Sequence, residues 1–92
     1  MTASNLDLPA ADVIAAGLAD LDRGIASVPA LLVSIGAPRL AALGVVVPRP
    51  FPEPERRLYE RLQQDDPDAA HSRYNALVRR LVSFERALAC AP

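Results

Sequence analysis

Several residue types are scarce or missing in this 92-residue sequence, and each gap removes a class of explanation. There is one cysteine, Cys90, so no intramolecular disulfide can staple the fold and no cysteine-based metal site has ligands to draw on. There is one histidine, His71, and the sequence contains no H-E-x-x-H, C-x-x-C or G-x-S-x-G motif and no glycine-rich phosphate loop. A Cys and His dyad is excluded as well, because nineteen residues of one helix separate the two by roughly 28 Å. His71, close to the acidic start of that helix, reads as a partly exposed side chain, and Cys90 as an incidental thiol. Neither cofactor, metal nor catalysis is expected of this chain.

Tryptophan is absent and the aromatics are few: Phe51, Phe84, Tyr59 and Tyr74. Lysine is absent too, so all ten basic residues are arginine, and eleven acids bring the net charge to −1. That balance excludes an overall field drawing the chain to a polyanion. The arginine-for-lysine bias fits a small bacterial protein from a high-GC genome. No apolar run is long and unbroken enough to span a bilayer: Ile25 to Val47 has the length, but Pro29, Pro38 and Arg39 interrupt it. The first ten residues, MTASNLDLPA, lack the basic start and apolar core of a secretory signal. A cytoplasmic location with no membrane partner is the expectation.

What is present is alanine, leucine and valine at helical spacings, which predicts an all-α fold of four to five helices in one small domain, residues 1–92. At this length the domain buries only about two thirds of its unfolded surface, so its core is marginal or completed by a partner. Short N-terminal helices occupy 6–44. The first opens near Pro9, with Asp7 as its candidate cap, carries Ile14, Leu18, Leu21 and Ile25 on one stripe, and stops at Gly24. Gly17 lies in mid-helix at a cost of about 1 kcal/mol, tolerable where another backbone comes close. Ser27 caps a second helix, Val28 to Ile35, which Gly36 ends. A short third, APRLAAL, ends at Gly44, and both are apolar nearly all round, as buried helices are.

Residues 45–53 form a proline-rich spacer, stiff and extended in polyproline geometry, that separates two helical halves. It lacks the three-residue proline interval of a ligand for a proline-reading groove. A helical hairpin follows over 54–90, with Glu53 to Arg57 and Arg56 to Glu60 as four-apart ion pairs in its first helix. Its connection is so short that the two helices must lie antiparallel. Asp65, Asp66 and Asp68 suit the positive end of the last helix, which Asp66 caps and Pro67 opens, and they lack the pattern of a calcium loop. That last helix runs six turns, roughly 33 Å.

The last helix carries the strongest signal. Tyr74, Leu81 and Leu88 fall at heptad position a and Ala70, Leu77 and Phe84 at d, an uninterrupted seam. Arg80 at g and Glu85 at e are placed to pair between two parallel copies; Glu85, beside the apolar arc, needs a partner or a place at the rim. The sequence therefore points to a non-catalytic protein–protein interaction module or accessory subunit. Its contacts would be Tyr74, Leu77, Leu81, Phe84, Leu88, Arg80 and Glu85, and its partner a second copy, as a homodimer, or a larger chain such as part of an enzyme complex. The stripe can equally cover the chain's own first three helices. The alternative is a small DNA-binding regulator of the antitoxin or repressor kind, which would touch nucleic acid through Arg73, Arg79 and Arg86. Gly36 followed by APRLAAL has a helix-turn-helix outline, but with one polar reading residue, Arg39.

Overall fold

A computed structural model describes residues 8–90, in which five helices and no strands occur. They are α1 (Ala11–Asp22), α2 (Val28–Ile35), α3 (Ala37–Ala42), α4 (Pro54–Asp65) and α5 (Ala70–Cys90). The fold is a small all-α domain.

Local chemistry sets most of the boundaries. Ser27 Oγ accepts from the Ala30 amide at 3.2 Å, while its hydroxyl donates to Asp20 Oδ2 at 2.6 Å, so one side chain starts α2 and ties it to α1. Gly24 and Gly44 take left-handed φ values of 73° and 93° just past α1 and α3. In both places the next amide reaches back five residues, Ile25 N to Asp20 O at 2.8 Å and Val45 N to Leu40 O at 2.9 Å, closing the helix end.

Two helix starts differ from the sequence reading. The first helix opens at Ala11 rather than Pro9, because Ala10 is left-handed at φ 64° and has no side chain with which to cap. A cap by Asp7 lies outside the described residues. The last helix opens at Ala70, since Pro67 to Ala69 form a turn in which the Ala69 amide donates to the backbone and side-chain oxygens of Asp66 at 3.2 and 3.3 Å. Asp66 still caps, one turn earlier than the α-type ladder begins.

The eight residues of α2 are the hub. Ala30, Leu31, Leu32, Val33 and Ser34 are buried in sequence, and α2 contacts each of the other four helices. A five-residue run this apolar has no solvent side, so it is surrounded instead of laid on a surface. The closest approach is with α1, where a Cβ built on Gly17 would stand 2.4 Å from the Pro29 carbonyl oxygen. Leu21, Leu32, Leu40, Leu58 and Leu62 are the largest side chains withdrawn from solvent together with Val33, and each leucine contributes about 1.5–3 kcal/mol by leaving water. One cluster thus joins α1 to α5 across the proline-rich segment.

That segment is not a free extended spacer. Arg49 and Glu53 are left-handed, at φ 42° and 48°, and turn the chain twice. Val45, Val47 and Phe51 pack on the core, and the Phe51 amide donates to the buried Ser34 Oγ at 3.0 Å. Ser34 in turn donates to the Ala30 carbonyl at 2.9 Å, so the hydroxyl is satisfied in both senses. The bends follow from this anchoring, since a straight polyproline rod would carry Phe51 away from α2. Of the two ion pairs read from the sequence, Arg56 to Glu60 forms and Glu53 to Arg57 does not. Arg56 bridges Glu53 and Glu60, whereas Arg57 lies over the Phe51 ring, 4.9 Å from its centroid.

Candidate interaction surface

α5 has four sides, and they do different things. Its inward side is the heptad seam. Ala70, Leu81 and Phe84 are buried in the shared core, and Tyr74, Leu77 and Leu88 are half-buried against it. Tyr74 meets Tyr59 of α4 edge to face at 5.7 Å between centroids, and burial, with the Glu55 carboxylate nearby, raises its hydroxyl above the usual tyrosine range. The seam residues therefore already have partners, in α2 and α4 of the same chain.

Glu85 occupies one flank. It is half-buried over the end of α2, where its Oε2 would stand 2.9 Å from a Cβ on Gly36. Burial raises its carboxyl above the usual range, and the Arg39 guanidinium opposes the rise without undoing it. The positive charge that acts on Glu85 is thus that of Arg39 of α3, within the same chain.

On the other flank, Arg73 donates to Asp65 Oδ2 at 2.7 Å and Arg80 to Asp12 Oδ1 of α1 at 3.2 Å. Both pairs are exposed, and such pairs contribute about 0–1 kcal/mol. They leave Arg80 and Glu85 on opposite flanks, each turned to a different element.

The outward side is the line Ser72, Ala76, Arg79, Ser83, Arg86 and Cys90, with Val82 beside it, all exposed. Arg79, Val82 and Arg86 fall within about 60° of one another at 100° per residue. No acid of α5 lies on this side, and neither Arg79 nor Arg86 pairs with an acid among the described residues. Sequence reasoning found Arg79 and Arg86 but passed over Val82, Ala76 and Ser83, which a helical wheel centred opposite the seam brings together. No sequence signal joins Asp12 to Arg80, sixty-eight residues apart.

Chemistry elsewhere is sparse. His71 is exposed, with Nε2 3.2 Å from Asn75 Nδ2 one turn on, and Cys90 is an exposed thiol at the other end of the same helix. Among the described residues no group of three His, Cys, Asp or Glu could hold a metal ion, and no helix is long and apolar enough to cross a membrane. What fold and surface define is a small all-α domain with one long helix whose outer side is basic. Comparison with protein-family models, with curated proteins and with solved structures finds no match for the chain.

Proposed function

We propose that this chain is a non-catalytic protein–protein interaction module, an adaptor or accessory subunit, and that it offers the outward side of α5 to an acidic partner surface. The observation that carries this reading is the side formed by Arg79, Val82 and Arg86: two arginines unpaired among the described residues, a valine 36% exposed and no acid of α5. Arginine with an exposed aliphatic neighbour is the chemistry of an interface that meets carboxylates, because the planar guanidinium holds them in two-point contact. Docking through the seam would pull Leu81 and Phe84 out of the core, so the outward side is the cheaper surface to offer.

A photo-crosslinker at position 82, compared with one at the exposed Gln63 on α4, tests the reading. A protein adduct specific to position 82 is expected, and its purified partner should lose at least about tenfold in affinity against Arg86→Glu, the cost of reversing one interfacial charge. Adducts equal at both positions, or binding indifferent to Arg86→Glu, would sink it. DNA binding is the second reading, supported by the four arginines Arg73, Arg79, Arg80 and Arg86 on α5. Against it stand the acids already paired with Arg73 and Arg80 and the net charge of −1. Retention on double-stranded DNA that fades with salt, and is lost in Arg79→Ala with Arg80→Ala, would move the assignment there.

A further inference from the structure

Between the start of α1 and the middle of α5 lies a cleft of about 290 Å³ lined by Pro9, Ala10, Ala76, Arg79, Arg80 and Ser83. Three of the lining residues are small and apolar, and the other three, Arg79, Arg80 and Ser83, each carry a side-chain hydrogen-bond donor and no carboxylate. Among the described residues the carboxylate beside it is that of Asp12, which accepts from Arg80 at 3.2 Å and has a largely exposed side chain, so two arginines stand there against one acid. Arg79 pairs with no acid among the described residues. A concave, donor-lined space with a net positive charge suits a small oxyanion, which two guanidiniums would grip with a hydroxyl completing the contact.

We propose that this cleft is an oxyanion site, for a carboxylate or a phosphate group, centred on Arg79 with Arg80 and Ser83. Asp12 acts as the internal competitor, holding Arg80 until an anion arrives. The site rests on the outward side of α5 that the interaction reading uses and gives that side a focus. Because it is tested with free ions, a silent cleft leaves the interaction reading standing, and a failed cross-link leaves the cleft.

The experiment is two-dimensional NMR of the whole chain titrated with sodium phosphate, and separately with sodium acetate, at ionic strength fixed with chloride. Saturable shifts confined to residues 10–13 and 76–83 are expected. Arg79→Gln should weaken binding by roughly tenfold, as loss of one charge-assisted hydrogen bond does. Asp12→Asn should tighten it by about fivefold, the effect of one water-screened unit charge a few ångströms away. Asp22→Asn, at the far end of α1, should change nothing. Saturation by acetate alone assigns the site to a carboxylate, and preference for phosphate to a phosphoryl group; both support it. Shifts that never saturate, that spread evenly over Arg23, Arg49 and Arg86, or that respond alike to Asp12→Asn and Asp22→Asn overturn it.

Discussion

Gly17 lies where α1 crosses α2, and the space its missing side chain leaves is filled by the Pro29 backbone and the Val33 side chain: a Cβ there would meet the Pro29 carbonyl oxygen at 2.4 Å and Val33 Cγ2 at 2.5 Å. Alanine ordinarily favours a helix interior by about 1 kcal/mol over glycine. Here the helices would have to separate, so Gly17→Ala should destabilise by about 1–3 kcal/mol in urea unfolding. Gly36→Ala should cost less, because the added methyl meets the movable ends of Leu81 and Glu85, and φ −85° suits alanine. A Gly17→Ala protein as stable as the parent would refute the close crossing. Glu85 gives a second residue-scale prediction. Its folded carboxyl is raised above the value it has in an unfolded chain, mainly by burial. Between the two values the folded chain binds more protons than the unfolded one, so stability falls as pH rises through that window and is level above it. Glu85→Gln, neutral in both states, should therefore melt no lower than the parent at pH 7, and its relative advantage should shrink on acidification through the window. A melting difference constant from pH 7 to 4 would contradict this.

At the scale of the element, α5 and α2 exchange the roles the sequence suggests. α5 is the longest helix among the described residues, yet it closes a core whose centre is α2, eight residues with five consecutive buried positions. The heptad seam of α5 is a covering face, because α2 and α4 fill the place a second helix would take in a coiled coil. Leu81→Ala should consequently cost about 2–5 kcal/mol, the range for a buried leucine. The unfolding midpoints of both parent and variant should be independent of protein concentration, measured over a hundredfold dilution by circular dichroism. A midpoint that drops on dilution would show that the seam binds a second copy.

At the scale of the molecule, residues on either side of the proline-rich segment share one core, and the segment is fastened to it through Phe51 and Ser34. Arg49 donates to the Asp22 carbonyl and Arg61 to the Ala26 carbonyl, both at 2.8 Å, which ties this segment and α4 back to the end of α1 and its connection to α2. A core shared in this way unfolds as a unit. Far-ultraviolet circular dichroism, reporting all five helices, and fluorescence of Tyr59 and Tyr74, reporting the α4 and α5 contact, should give coincident urea transitions. Separate midpoints would mean that the halves fold independently.

The sequence by itself determined the helical class, the stops at Gly24 and Gly44, the Ser27 cap, the span of α2 and the stripe of α5. Each of these depends on residues within a few positions of one another, through φ preference, a capping hydroxyl or a 3.6-residue period. Tertiary structure alone decided what the stripe covers, that Arg80 turns to Asp12 and Glu85 lies over Gly36, and that the proline-rich segment bends twice to reach Ser34. An amphipathic pattern states that a face must leave water but not which surface receives it, and contacts between residues dozens of positions apart have no period to announce them.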